Sequence, residues 1–403
     1  MRMRRKILLI IFAVIILVGS ALLCAIRWNV WFGNVPETDY VVPQRPHNIV
    51  LSYGENAVAQ RIVSWRSDTL LQPSIVRLVA NSDTIIIPAK GELIQSRAGK
   101  AAFYSAALPP LPSGTYPYQC QSGIAYSDWR HFTLHADEGA EFLLFGDVQD
   151  KLGQSSPLLF KQAFDAHPSV HFAAFVGDII ERPTDTYWQL WFRSMQNHQE
   201  YIPLVAATGN HEYLKGIVKS LDNRWTHIFV NPDNGPQRFM GTSYFIDFPS
   251  YRLIVIDTDA LQLFSDYTIT QTWLDKVLTL SSQPWNIVVM HHPIYAAGKG
   301  RSNPTLWMAL HHTLKKADVV FCGHDHNYMR RNAKPVYILT NFSDKFYQPK
   351  HSVKADKHAA FTRFYEYVRI AEDSLSVYTY QADTDSLFDT ITLTRKKSRN
   401  AVL

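Results

Sequence analysis

Cysteine is scarce in this 403-residue chain, which contains three: Cys24, Cys120 and Cys322. So few and so widely separated thiols predict that the fold has no structural disulfide. Cys322 directly precedes one of the polar motifs described below. We interpret it as a small buried apolar residue rather than as a metal ligand, because buried cysteines most often play that packing role.

Acidic residues are absent from both ends of the chain. The first six residues carry four cations, and the segment from Arg395 onward carries four more. The rest of the sequence has 32 basic and 35 acidic residues, so the net charge of +5 gives no argument for nucleic-acid binding. With 46% apolar and 19% charged residues, the composition is that of a globular protein rather than a disordered one. We interpret residues 394–403 as a basic tail.

Charge is also absent from the 20 residues Ile7–Ile26, where only Gly19 and Ser20 interrupt the apolar side chains. That length spans a bilayer, and the preceding cations favour a cytoplasmic N-terminus with export of the remaining chain. We therefore predict a transmembrane signal anchor at 1–27 that places the rest on the periplasmic or extracellular side. The alternative is a cleaved signal peptide, which would give a secreted protein.

Helical patterns are lacking between Pro46 and about Leu134. β-branched runs at 75–79 and 84–87 are separated by turn-forming clusters. After a linker at 28–45, we therefore predict an all-β sandwich at 46–136. Two roles for it stay open: a module that captures a ligand, or a packing domain that supports its neighbour.

From about Glu141 the sequence alternates between apolar strands and helical segments, which predicts an α/β domain at 140–393. Asp147 and Asp178 are 31 residues apart, and Asp178 and Asn210 are 32 apart. Each interval fits one strand–helix unit, so repeated crossovers bring the strand ends to one edge of a sheet. The predicted buried strands are 142–145, 170–176, 204–207, 253–256, 287–290, 319–321 and 336–339.

Five short polar motifs follow apolar strands in this second half of the chain. They supply carboxylates, an amide and imidazoles, the oxygen and nitrogen donors that hard and borderline divalent metals prefer. Any one motif is a weak signal, because a Gly-Asp pair is often a turn and a lone histidine is often on the surface. The motifs are Gly146–Asp150, Gly177–Glu181, Gly209–Glu212, His291–Pro293 and Gly323–His326.

In their order and spacing, the five motifs resemble those of the calcineurin-like metallophosphoesterase superfamily. The preceding β-domain makes the purple acid phosphatase branch the closer relative, and Leu111–Tyr118 resembles a corner of that branch's fibronectin type III-like domain. The resemblance covers about Pro46 to Leu393. It implies a four-layer α/β/β/α sandwich and a metal-dependent phosphoric ester hydrolase, acting as an acid phosphatase-like phosphomonoesterase.

The resemblance also implies a dinuclear centre of two divalent or transition metal ions (Mn, Zn or Fe) that provide an activated hydroxide. Asp178 would bridge the two ions. Asn210, His291 and His324 would complete one site. Asp147 and His326 would complete the other. The six implied ligands are Asp147, Asp178, Asn210, His291, His324 and His326.

His211 is expected to contact phosphate and to stabilise or protonate the leaving group. Glu212 is expected to orient His211 by accepting its second ring hydrogen. His292 has two open interpretations, as a residue near the substrate or as a packing residue beside Pro293. The paired His311 and His312 fall in a helical pattern, and we interpret them as helix surface.

Two positions depart from the pattern of the family. Gln149 stands where many members have a histidine ligand, and Glu181 stands where purple acid phosphatases have a tyrosine ligand. Either side chain is a candidate ligand or a residue just behind the ligands. Without a tyrosinate the purple iron charge-transfer colour should be absent. Two further functions stay open: a phosphodiesterase acting on nucleotides or lipid-linked phosphates, and a non-catalytic surface-binding protein with a degenerate metal site.

Overall fold

The computed structural model describes residues 2–54, 56–149 and 153–395, so the predicted basic tail lies almost entirely outside the described residues. The chain begins with helix α1 (Arg2–Phe32). Within the described residues, α1 is the one helix long and apolar enough to cross a membrane, and its most apolar window is not buried against the protein. The helix continues five residues past the predicted boundary at residue 27, through Trp28 and Trp31.

The next segment forms a sandwich of two antiparallel sheets, as predicted. One sheet has the strand order β1-β2-β6-β5, and the other has the order β4-β3-β7-β8 with β9 paired to β7. Trp65 and Tyr118 are buried between the sheets. The hydroxyl of Tyr116 donates to the carbonyl of Pro112 at 2.8 Å, a tyrosine corner like that of immunoglobulin-like sandwiches. The strands are β1 (His47–Tyr53), β2 (Arg61–Ser67), β3 (Ser74–Ala80), β4 (Asp83–Pro88), β5 (Lys90–Ser96), β6 (Gly99–Ala107), β7 (Gly114–Ser122), β8 (Ala125–Tyr126) and β9 (Arg130–Leu134).

The remaining described residues build two large sheets and a two-stranded sheet of β13 and β14, with helices between many of the strands. Its first half contains β10 (Glu141–Phe145), α2 (Ser156–Ala166), β11 (Phe172–Phe175), α3 (Asp185–Ser194), β12 (Leu204–Ala206), β13 (Tyr213–Leu214), β14 (Ser220–Leu221), α4 (Trp225–Ile228), β15 (Tyr244–Asp247) and β16 (Tyr251–Ile256). Its second half contains α5 (Phe264–Thr279), β17 (Trp285–Met290), α6 (Pro304–Leu314), β18 (Val319–Cys322), β19 (Tyr328–Arg331), β20 (Val336–Leu339), β21 (Lys357–Ala359), β22 (Phe364–Ile370), β23 (Ser374–Gln381) and β24 (Ser386–Thr394).

These elements stack in the four layers that the resemblance implied. The sheet β12-β11-β10-β22-β23-β24 packs face to face on the sheet β15-β16-β17-β18-β20-β19-β21, with one apolar core between them. Helices α2 and α3 cover the outer face of the first sheet, and α5 and α6 cover the outer face of the second. Strands buried on both faces read as continuous apolar runs, and the seven predicted strands are accordingly all present.

The sequence analysis missed the antiparallel strands β22, β23 and β24, which extend the first sheet. In β23 buried and partly exposed residues alternate, so this strand lacks the continuous apolar run used to find the others. The predicted helix surface for His311 and His312 is confirmed, since both lie on α6 and neither is buried.

A buried ion pair links the β-sandwich to the domain that follows it. Arg61 on β2 lies 2.8 Å from Glu138, measured from Nη2 to Oε2, and both side chains are fully buried. The hydroxyl of Tyr53 also donates to Glu138, at 2.8 Å. Glu138 lies in the short connection before β10, so this contact helps to fix how the two parts of the chain pack.

We expect Glu138→Gln to destabilise the protein by about 3–5 kcal/mol, because it leaves the Arg61 guanidinium buried without a counter-charge. Chemical denaturation followed by tryptophan fluorescence measures the effect. The matched control is the double substitution Arg61→Met with Glu138→Leu, which removes both charges and should recover most of the loss. A single variant as stable as the native chain would contradict this account of the junction.

Candidate active site

The candidate site lies where parallel strands of the two packed sheets end. β10, β11 and β12 run parallel in one sheet, and β16, β17 and β18 run parallel in the other. The loops after these strands carry the polar motifs, so both sheets contribute side chains to one shared edge, the usual position of sites in such folds. The ligand-type residues brought together there are Asp147, Asp178, Asn210, His291, His324 and His326.

The turns that carry these residues have unusual backbone conformations. Asp147 and Asp178 both have φ of 52°, and His324 and His326 have φ of 73° and 50°. These values lie in the left-handed region, which non-glycine residues rarely adopt. Gly209 is required next to them, because a Cβ atom at this position would lie 2.3 Å from Oδ1 of Asp178. Strain of this kind is concentrated at functional sites.

One donor set is built around His291. Its Nδ1 donates to the carbonyl oxygen of Val176 at 3.0 Å, so Nε2 is the ring nitrogen that faces the other members of the set. This Nε2 lies 3.3 Å from Oδ2 of Asp178, 3.4 Å from Oδ1 of Asn210 and 3.2 Å from Nδ1 of His324. Four side chains on four different loops thus converge on one point.

The second donor set shares Asp178 with the first. The Nδ1 of His326 donates to the carbonyl of Lys345 at 2.7 Å, which leaves Nε2 as the bare nitrogen. That Nε2 lies 3.6 Å from Oδ1 of Asp147. Asp147, Asp178 and His326 form a group that could hold a metal ion, and all three are buried.

Gln149 directs its amide oxygen into the second donor set. One end of the amide lies 3.1 Å from the carbonyl oxygen of Asp147 and 3.0 Å from that of Asp178. Because carbonyl oxygens only accept hydrogen bonds, this end is the NH₂ group. The oxygen is then at the other end, 3.3 Å from Nε2 of His326.

Glu181 lies to the side, next to His211. The Nδ1 of His211 donates to the backbone carbonyl of Glu181, and the Glu181 carboxylate lies 3.9 Å from the same nitrogen. The Nε2 of His211 faces the shared Asp178 at 3.9 Å, and the side chain is about one-fifth exposed. Among the described residues, the two ligand-type groups at this edge do not include Glu181.

The prediction that Glu212 orients the His211 ring is wrong. One oxygen of Glu212 accepts from the backbone N–H groups of Ile179 and Ile180, at 2.7 and 3.1 Å. Its other oxygen accepts from those of Asp178 and Gly209, at 3.0 and 2.6 Å. The buried carboxylate is therefore fully used in tying the turn after β11 to the turn after β12.

The charges of the site conflict with their burial. Burial raises the pKa of the Asp147 carboxyl to about 8. Burial also disfavours charge on Asp178, but His291 outweighs it and holds the pKa of Asp178 well below its usual value. Burial lowers the pKa of His326 to about 3 and also lowers the pKa of His324, so both rings stay neutral. A cation bound among these groups would stabilise the ionised carboxylates despite their burial.

His292 lies at the border of the site. Its Nδ1 lies 3.0 Å from the hydroxyl of Thr258 and 3.5 Å from the carboxylate of Asp259, and its ring stacks at a tilt on that of His324. The side chain is partly exposed, at 17%. Both interpretations of His292 therefore stay open, because it packs within the site and also reaches its surface.

Two residues outside the implied ligand set also shape the site. Nη1 of Arg301 lies 3.1 Å from Nε2 of His324, and its guanidinium stacks over the ring of Tyr347. Asp325 accepts from the backbone of the loop that carries Arg301. Sequence reasoning missed the role of Asp325, because contacts between distant loops leave no local pattern in the sequence. Its position inside the Gly323–His326 motif was the one signal that could have indicated a role.

Comparison with known proteins agrees with this geometry. The sequence profile of the calcineurin-like phosphoesterase family matches residues 140–328. Residues 140–328 are a calcineurin-like phosphoesterase domain. The match begins at β10 and ends at β19, so the phosphoesterase domain includes all six ligand-type residues.

Similar proteins extend the likeness beyond the phosphoesterase domain. A phosphoenolpyruvate phosphatase from Allium cepa is 25% identical over 342 residues, which cover 76% of this chain and 68% of the relative. An Fe(3+)-Zn(2+) purple acid phosphatase from Arabidopsis thaliana is 26% identical over 50% of this chain and 45% of its own length. Purple acid phosphatase PPD1 from yellow lupin seeds has the same fold, with a TM-score of 0.73 and 16% identity over 89% of this chain and 76% of that one.

We expect Glu212→Gln to destabilise the fold by about 2–4 kcal/mol, because an NH₂ group would face two backbone N–H donors. It should also weaken metal binding, since both neighbouring turns carry ligand-type residues. Thermal unfolding and calorimetric Mn²⁺ titration measure the two effects. If Glu212 instead acted only through His211, turnover would fall while stability and metal affinity stayed at native values.

Proposed function

We propose that the protein is a metal-dependent phosphoric ester hydrolase, a phosphomonoesterase with a dinuclear metal centre. The observation that carries this proposal is the pair of adjacent donor sets that share Asp178. A single carboxylate between two donor sets offsets the repulsion between two cations about 4 Å apart, which is the spacing that two-metal hydrolases use. The phosphoesterase domain of this chain and the names of its relatives support the same reaction class.

The donor chemistry of each set fits a metal ion. Asp178, Asn210 and His291 direct ligand-type atoms at one another. Burial disfavours charge on His291, but the Asp178 carboxylate outweighs it and raises the pKa of His291 to about 10, so a metal ion would displace a proton from Nε2. His324 would join this set through Nδ1, which requires its ring hydrogen to move to Nε2 and Arg301 to turn away from that nitrogen. Asp147, His326 and the Gln149 oxygen would form the other set, with Asp178 common to both.

The donor atoms limit the choice of metal to a group of ions. Carboxylates, imidazoles and an amide suit Mn, Zn or Fe, and we propose two ions from this group. Of the described residues in the two donor sets, none is a tyrosine, so we propose that the purple iron charge-transfer colour is absent. When bound, the ions would lower the pKa of a coordinated water and neutralise phosphate charge.

The side chains of the protein would bind and protonate the substrate. His211 is fixed by the Glu181 carbonyl at Nδ1, so its Nε2 points to the donor sets and is accessible from the surface. A proton at Nε2 can therefore be delivered to the leaving oxygen. His292 and Arg301 both contact His324 at the border of the site, where they would contact phosphate oxygens.

The domain organisation and location complete the proposal. We assign a signal anchor at 1–27, a linker at 28–45, a fibronectin type III-like domain at 46–136 and the catalytic domain at 140–393. The long apolar helix and the four cations before it support an anchored enzyme with its catalytic domain on the exported side. The buried contacts of the β-sandwich with its neighbour support a packing role for that domain.

We expect the full-length protein to hydrolyse an aryl phosphate monoester when Mn²⁺ or Zn²⁺ is supplied. Asp178→Asn should lower kcat/KM by roughly 10³-fold or more, because the shared carboxylate supports both ions. His211→Ala should lower kcat by about 10²-fold through loss of the general acid. Spectrophotometric initial rates measure both, with the exposed Asp165→Asn as a matched control that keeps native activity.

Native turnover in Asp178→Asn would contradict the proposal. The same assay run on a bis-aryl phosphate tests the phosphodiesterase alternative, because a diesterase cleaves the diester faster than the monoester. Absence of turnover on both esters, together with less than one bound metal per chain, would favour the degenerate, non-catalytic alternative.

A further inference from the structure

The segment that follows α1 is fixed to the catalytic domain rather than loose. The side chain of Glu37 is 1% exposed and accepts from Nη1 of Arg224 at 2.6 Å and from the backbone N–H of Asp185 at 2.5 Å. Arg97, from the β-sandwich, donates to the carbonyl of Val35 at 2.6 Å. The exit of the helix therefore has a defined position relative to the site.

A second contact joins the C-terminal end of α1 to a loop of the catalytic domain. Nζ of Lys215 donates to the carbonyl of Val30 at 3.0 Å, where the last turn of the helix leaves carbonyls unpaired. The amide of Asn34 pairs with both backbone groups of Lys215, at 2.9 and 2.8 Å. Lys215 lies four residues beyond His211, so the helix end is close to the proposed catalytic residues.

With Ile7–Ile26 spanning the bilayer as proposed above, the end of α1 would lie at the depth of the lipid headgroups. The apolar run ends at Ile26, and the six residues to Phe32 rise about 9 Å at 1.5 Å per residue. The headgroup layer on each side of a bilayer is about 5–8 Å thick. Trp28 and Trp31 lie in this interval and are half-exposed, as in the aromatic belts of membrane proteins.

Exposed apolar side chains flank the helix end; we call them the apolar rim. They are Ile217, Val218, Leu263 and Phe264, which are 81%, 69%, 54% and 87% exposed. The two loops that carry them are joined through the side chain of Gln262, which pairs with both backbone groups of Lys219. Ile217 and Val218 follow Lys215 by two and three residues, so the apolar rim continues the surface at which α1 leaves the bilayer.

A cavity of about 210 Å³ lies between the end of α1 and the site. Its lining includes Gly33 and Asn34, which follow α1, and Asn210 and His211 of the site. Arg182 also lines the cavity and is exposed, and its side chain forms no hydrogen bond or ion pair with the residues that the structure describes. Glu181 contributes one acid, whose carboxylate lies 4.0 Å from Nζ of Lys345.

We propose that the substrate is the phosphomonoester headgroup of a membrane lipid, which enters this cavity while the apolar rim inserts into the bilayer surface. The inference rests on the proposed phosphomonoesterase function. A headgroup phosphate held at the interface is within reach of His211, and the apolar part of the lipid stays in the bilayer beside Trp31. The hydrolysed bond is the ester P–O bond, so the products are inorganic phosphate and a lipid alcohol.

The test uses the full-length protein in phosphatidylcholine vesicles that contain phosphatidic acid or farnesyl phosphate. Release of phosphate is compared with hydrolysis of a soluble aryl phosphate and of glycerol 3-phosphate in the same vesicles. We expect the rim variant, Val218→Ser with Phe264→Ser, to lower the lipid-to-aryl rate ratio about tenfold. The matched control is Leu280→Ser, an equally exposed residue about 24 Å away at the other end of α5, which should keep the native ratio.

Different outcomes separate this inference from the function on which it rests. Hydrolysis of the aryl phosphate with neither lipid phosphate cleaved would overturn the inference alone. An unchanged ratio in the rim variant, or faster cleavage of glycerol 3-phosphate than of phosphatidic acid, would also overturn it. Absence of turnover on every ester would overturn the proposed function as well.

Discussion

The shared position of Asp178 is the constraint on which the rest of the site depends. Its carboxylate belongs to both donor sets, and its left-handed backbone is stabilised from behind by the Glu212 carboxylate. One of its oxygens accepts from the backbone N–H of His211 at 2.9 Å, which orients the carboxylate. A small change here would disturb both donor sets, because each contains Asp178 together with residues from the other sheet.

Backbone groups fix the orientation of several buried side chains at the site. His291 and His326 each give one ring hydrogen to a backbone carbonyl, which directs the other ring nitrogen inward. Gln149 uses its NH₂ group on two carbonyls in the same way. Contacts of this kind fix ligand orientation before a metal binds, and they lower the entropy lost on binding.

The α/β class and the strands before the motifs could be predicted from continuous apolar runs, whereas the four layers and the ligand set were implied by the family that the five local motifs resemble. The role of Glu212 could not be predicted, since its four partners are backbone groups brought together only by the packing of β11 beside β12. The place of Glu181 was uncertain for the same reason: its carbonyl, and not only its carboxylate, contacts His211. The contacts of Glu37 and Lys215 with distant loops likewise left no periodic signal.

Together, the two donor sets and the proposed membrane anchor would hold a metal site near a membrane surface. The most direct test of its central claim is an anomalous difference map from crystals grown with Mn²⁺. The account predicts two peaks about 4 Å apart on either side of the Asp178 carboxylate, one beside His291 and the other beside His326. A single peak beside His291, or no peak at this edge of the sheets, would contradict it.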